Sequence, residues 1–318
     1  MGALLELAPA TLPSTDTTVA VKAEPLALER KMTVEQAFGH IVRNCLGQMQ
    51  SNHTYVATGN APEALHQMRV GLRRLRSALR MFRPLLSLPD QLRDELAWLS
   101  EELGAARDWD VLASSTLPSV ADDLPGDMEL VLVRLAAEAR ADELRAAAGA
   151  AVSTERYVAL TQNLAHWLDG AHWREASNAQ QRRALKKTVS GFAHATLEDA
   201  HERLLKRGSK LRGAKAAARH RVRIAAKQAR YATEFFHSLY PAGQVKPFVK
   251  ALSGLQDELG WLNDAAVADG LLKILQHGEA RLDGSAAFTR GFLASHVHHD
   301  DRKLRKLWKA FEPMALLG

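Results

Sequence analysis

The chain is poor in several things at once. Its 318 residues include a single cysteine, Cys45, so no intramolecular disulfide framework can exist, and a lone cysteine in an apolar-periodic segment reads as a small packed side chain. Aromatic residues make up only 6% of the chain. Runs of Val, Ile and Thr that would mark strands are missing, and no stretch approaches the ~20 uncharged residues needed to cross a bilayer. The N-terminus has no secretory pattern, since Glu6 interrupts the only Leu-rich piece and no basic residue precedes it. Cytoplasm is therefore the expected compartment. Also missing are a nucleophile elbow, a His-Glu-x-x-His helix and a dinucleotide fingerprint. Gly208 to Lys215 imitates a phosphate loop, but Ala214 follows Gly213 where the loop requires lysine.

The most telling deficit is of acid. Residues 66–89 hold six arginines and no carboxylate, and residues 203–233 hold eleven lysines or arginines and none either. The formal net charge of the whole chain is only +6, so the remainder is net acidic and the protein is electrostatically divided. Such separation builds a local potential that attracts anions.

What is present is helical pattern. Ala, Leu, Arg and Glu dominate, and the hydrophobic fraction of 47% is ample for a core. Residues 1–32, punctuated by Pro9, Pro13 and Pro25, read as a flexible tail or linker. Helix begins after Thr33, with Gln36 completing a capping box. Further helices are expected over roughly 90–115, 127–149, 154–171, 214–238, 245–277 and 285–311, with the second half opening over 178–208.

Inside this pattern one arrangement occurs twice. His66, Arg69, Arg73 and Arg76 are spaced three, four and three apart, and His220, Arg223, Lys227 and Arg230 repeat them 154 residues later. These spacings put each set on one helix face. The offset also pairs Phe38 with Phe192 and Phe82 with Phe236. After a two-residue insertion it pairs Glu102-Leu103-Gly104 with Glu258-Leu259-Gly260 and Asp108 with Asp264. The chain is thus an internal duplication, residues 33–174 forming the first repeat and 175–318 the second. In the first, Leu65, Met68, Leu72, Leu75, Leu79 and Phe82 form a core-facing seam. The basic set, extended by Arg80, is that seam moved on by one residue, about 100° of rotation. It can bury its stems and present its heads between helices, and arginine forks suit phosphate oxygens.

These residues, His66-Gln-Met-Arg69-Val-Gly-Leu-Arg73-Arg74-Leu-Arg76-Ser-Ala-Leu-Arg80-Met-Phe82 followed by Leu103-Gly-Ala-Ala-Arg-Asp108-Trp-Asp110-Val-Leu, resemble the CHAD family, the conserved histidine α-helical domain. The resemblance covers residues 33 to 312. It implies an all-α fold of two pseudo-symmetric antiparallel helical bundles around a basic central groove or pore that binds inorganic polyphosphate without catalysis, in some cases on polyphosphate granules. It implies no cofactor and no catalytic residue. Carried over by position, the ligands are His66, Arg69, Arg73, Arg74, Arg76 and Arg80 with His220, Arg223, Lys227 and Arg230. Gln228 at the Arg74 position and Glu234 at the Arg80 position depart from symmetry. Related proteins join this domain to a CYTH domain, whose Glu-x-Glu-x-Lys sign is absent. Lys22-Ala-Glu-Pro-Leu resembles the linker after such a domain, so the chain reads as a stand-alone form or a fragment.

Other readings rank below. Nucleic acid would be drawn to the same stripes, but single-strand binders interleave cations with stacking aromatics and these stripes hold none. An accessory role in a triphosphate- or polyphosphate-processing enzyme is a further alternative; turnover would need carboxylates converging on a metal. His296, His299 and Asp300 could offer metal ligands from one helical face, although a polar turn is the simpler reading. Asp108 and Asp264, at matched positions, could form an acid pair or a cation site, although holding a helix end or an arginine is the simpler reading. Trp98, Trp109 and Trp261 are expected in the core.

Overall fold

The computed structural model describes residues 20–123, 128–211, 214, 216–299 and 301–317, with the side chains of 122, 123, 128, 129, 296–299 and 301 left aside. Among the described residues the protein is all-α, and no helix is long and apolar enough to cross a membrane.

Helix α1 (Val34–Ala57) starts at the expected Thr33–Gln36 capping box and packs against α2 (Pro62–Phe82). Their close crossing needs Gly71, where a Cβ would stand 2.9 Å from the Met49 side chain and 3.1 Å from the Cys45 carbonyl oxygen. Helix α3 (Asp90–Val111) passes through a π turn at Leu112–Thr116 into α4 (Leu117–Asp123). Then follow α5 (Met128–Val152), α6 (Glu155–Asp169) and α7 (Trp173–Ala176).

Next come α8 (Ala179–Leu185), opened by a capping box at Asn178 and Gln181, then α9 (Val189–Gly208) and α10 (Ala216–Phe236). Helix α10 matches α2 end for end at the offset of 154. Helix α11 (Ala242–Gly278) runs unbroken where the first repeat has its π turn. The segment expected as a last helix is helical on both sides of residue 300, over α12 (Asp283–His299) and α13 (Asp301–Phe311).

The repeats share one core. Phe38, Phe82, Phe192 and Phe236, the four matched phenylalanines, form a chain of ring contacts with centroids 5.1, 4.6 and 6.1 Å apart. At the surface end, Thr33 and Thr188 form an isolated antiparallel bridge. In it the Val34 N–H donates to the Lys187 carbonyl at 2.9 Å and the Val189 N–H to the Met32 carbonyl at 2.8 Å. The bridge links the first turns of α1 and α9, two matched helices.

Residues 20–32, part of the segment expected as a flexible tail or linker, lie along the fold. Leu28 is buried, Val21 exchanges hydrogen bonds with the Asn52 amide at 3.0 and 2.8 Å, and the Leu28 N–H donates to the Ser238 hydroxyl at 2.8 Å. Satisfied backbone and a buried leucine explain why this Pro-punctuated segment is held without being helical.

Candidate anion-binding site

The seam of α2 is buried as its periodicity requires, with Leu79 partly so, and the basic set borders it. His66, Arg69 and Arg73 are half-buried, whereas Arg76 and Arg80 are exposed. On α10, Arg223 and Lys227 are half-buried, and His220 and Arg230 are exposed. Helix α2 packs on α10 and α3 on α11, so the two basic faces meet.

Matched carboxylates anchor matched arginines. Arg69 lies 3.6 Å from Asp108 of α3, and Arg223 lies 3.9 Å from Asp264 of α11. Gly104 makes room for the first of these, since a Cβ there would stand 2.7 Å from Nη1 of Arg69. A second matched pair lies farther along the stripe: Arg76 donates to the Ser100 hydroxyl at 2.5 Å, and Arg230 donates to the Gln256 side-chain oxygen at 3.2 Å. Ser100 and Gln256 are equivalent at the offset of 156. Both repeats therefore hold their arginines by one scheme.

The stripes converge electrostatically as well. Burial pushes the Lys227 ammonium down to about 7, and Arg223, Arg73 and Arg69 push the same way against Asp264. Burial also lowers His66, helped by Arg107, Arg73 and Arg69 and opposed by Glu63. Arg69 and Arg223 are lowered by burial too, each opposed by its own aspartate. Asp108 is raised, chiefly by burial and also by Asp264 across the repeat boundary. These two carboxylates line one small cavity between α3 and α11. The Arg223 Nε is buried with no hydrogen-bond partner; such a donor costs about 1–3 kcal/mol until an acceptor arrives. A set of partly desolvated cations pressed together is strained without an anion and relieved by one.

Arg74 does something else. Its side chain is almost wholly buried and donates to Glu234 at 2.5 Å, Gln48 at 3.0 Å and Asn44 at 2.8 Å, with its guanidinium 5.6 Å from the centre of the Phe235 ring. Every arm is engaged inside the protein, so its place among the anion ligands is corrected to that of a pin between α1, α2 and α10. Sequence spacing missed this because Arg74 stands next to Arg73 in the chain but points about 100° away. Arg80 is exposed at the rim of two cavities, one shared with Arg203 and Gln228 and one with Arg76, Arg83 and Arg93.

Two participants were missed. The Tyr231 hydroxyl accepts a hydrogen bond from Arg73 Nε, and the Arg73 guanidinium lies 5.9 Å from that ring. On its own helix Tyr231 is off the basic face, and only the crossing of α2 over α10 brings it to Arg73. Arg107, which acts on His66, Arg69 and Asp108, was signalled by its place beside Asp108 in the quoted motif. Trp109 is buried as expected, whereas Trp98 and Trp261 are only partly so, Trp98 lying 4.1 Å beneath the Arg156 guanidinium. His296, His299 and Asp300 lie outside the residues whose side chains are described. So do Gly213 and Lys215 of the loop-like segment.

The family model for the CHAD domain matches residues 40–273. The crystal structure of the CHAD domain from the plant Ricinus communis superposes with a TM-score of 0.83 at 36% sequence identity, covering 94% of this chain and 99% of that one. PptA from Streptomyces chartreusis superposes at 0.63 with 17% identity over 88% of this chain and 100% of that one, a likeness of fold. No curated protein matches.

Proposed function

This chain belongs to the CHAD domain family, and from that premise we propose that it is a binding module for inorganic polyphosphate, held between α2–α3 and α10–α11 without being turned over. The observation that carries this reading is the convergence of Arg69, Arg73, Arg223 and Lys227 in a half-buried cluster whose two nearby carboxylates, Asp108 and Asp264, lie against Arg69 and Arg223. Condensed phosphate has one charge per small repeating unit and no bulky base. It suits a narrow track of guanidinium forks better than a chain needing stacking room. The aromatic at this cluster, Tyr231, is buried and committed to Arg73. The remaining ligands are His66, Arg76, Arg80, His220 and Arg230, which extend the track toward both ends. Association with polyphosphate granules would follow from such binding.

The test is competition between long-chain polyphosphate and single-stranded RNA at matched phosphate concentration, repeated across a salt series. Polyphosphate should win, and its affinity should fall steeply as salt rises, by analogy with counterion release from nucleic acids. Preference for RNA would transfer the site to nucleic acid, and a flat salt response would refute an electrostatic track. Incubation of the complex with magnesium should release no orthophosphate; release would make the protein an enzyme.

A further inference from the structure

The two repeats differ sharply beside the basic cluster. In the second, α10, α11 and α12 enclose a cavity of about 650 Å³, within the range of small-ligand sites. Its lining is largely small or apolar, with Leu259, Leu262, Ala265, Ala266 and Leu293, and includes His220, Arg223 and an Arg290 paired with Asp269. The positions matching Asn263, Ala265 and Ala266 hold Arg107, Trp109 and Asp110 in the first repeat. There the indole is buried and Asp110 is paired with Arg145 of α5. Large groups in one repeat and alanines in the other leave the second open.

We propose that this cavity binds a nucleotide, with the base in the apolar cleft and the phosphates on His220 and Arg223. Two features select that chemistry over a phosphorylated lipid. Arg290 is held by Asp269 at 2.8 Å and by Gln276 at 2.8 Å, so its planar face is fixed as a stacking surface. Asn263 places an amide in the wall, where a base offers edges to read and an acyl chain offers nothing; the Asp269 carboxylate is committed to Arg290 and Lys273. The Asn263 amide nitrogen faces Asp264 at 3.4 Å, which leaves its oxygen to accept. The buried, unpartnered Nε of Arg223 supplies a donor where cavity and basic track meet. The inference shares His220 and Arg223 with the polyphosphate reading but stands on the cavity, which a linear phosphate chain does not need.

Calorimetric titration of the full chain with ATP and with inorganic tripolyphosphate, both without magnesium, separates base from phosphate recognition. ATP should bind at least tenfold more tightly. Ala265→Trp, which restores the residue of the first repeat, should abolish that preference and leave long-polyphosphate affinity within twofold; Ala266→Leu serves if the first variant fails to fold. Equal affinity for ATP and tripolyphosphate in the native chain overturns the proposal, as does a preference that survives both fillings. Failure of long polyphosphate to bind, with the ATP preference intact, would instead overturn the track.

Discussion

If the basic cluster binds polyphosphate as proposed, Lys227 makes that binding a proton-linked event. Ligand-free, its ammonium is held down to about 7, first by burial and then by Arg223 of its own helix and Arg73 and Arg69 of α2, with Asp264 of α11 in partial compensation. A phosphate chain among these groups removes the repulsion and restores the charged form, so binding takes up a proton wherever free Lys227 is neutral. The sign follows: affinity rises as pH falls and levels off once the free ammonium is already charged. If the bound value returns to that of an ordinary lysine, the gain between about pH 8.5 and pH 6 from this residue alone is about 30-fold. His66, also lowered, adds a further rise on the acid side. The assay is polyphosphate affinity by fluorescence anisotropy at constant ionic strength across that range. Lys227→Arg makes the position like its counterpart Arg73 and should flatten the profile above pH 7 while holding affinity at its acid level. Lys227→Met should lose the same slope with affinity held low. A native profile that is flat above pH 7, or one whose slope survives in Lys227→Arg, refutes the reasoning.

Reversing one charge in each repeat, Arg69→Glu with Arg223→Glu, should weaken polyphosphate binding by far more than the product of the single effects, because the two arginines share one cluster; independent losses in a double-mutant cycle would mean two separate sites. Arg74→Ala leaves the buried Gln48 amide and the partly exposed Glu234 carboxylate without their partner and should cost about 1–3 kcal/mol of stability, read by chemical denaturation. Polyphosphate affinity of the folded fraction should stay within about twofold, and a large loss would return Arg74 to the ligands.

Periodicity and repetition made much of this molecule legible before any coordinates. The seam from Leu65 to Phe82 fixed which face of α2 is buried, and a one-residue displacement fixed where Arg69 and Arg73 emerge, because both follow from helix geometry alone. Pairing Asp108 with Asp264 at the shifted offset pointed to their holding role, as the contacts to Arg69 and Arg223 bear out. Contacts made by one helix crossing another were not legible. Tyr231 reaches Arg73, and Arg74 turns away to Glu234, through a crossing that no spacing along either helix encodes. The docked residues 20–32 escaped for a related reason: their hydrogen bonds go to Asn52, Asn44 and Ser238, far along the chain.

The departures from repetition have a physical logic of their own. Helices α2 and α10 meet near their C-terminal halves, where Arg74 touches Glu234 and Arg80 shares a cavity wall with Gln228. The two pairs are equivalent in the repeat register, since Gln228 is the counterpart of Arg74 and Glu234 that of Arg80. Strict repetition would set arginine against arginine at both, with no acid within the basic windows to offset them and burial too deep at Arg74 for solvent to screen the repulsion. A glutamate beside the buried Arg74 and a glutamine beside the exposed Arg80 avoid that repulsion and leave Arg69, Arg73, Arg223 and Lys227 in place. Symmetry is thus given up where the two copies press on each other, and kept where both face the place an anion would occupy.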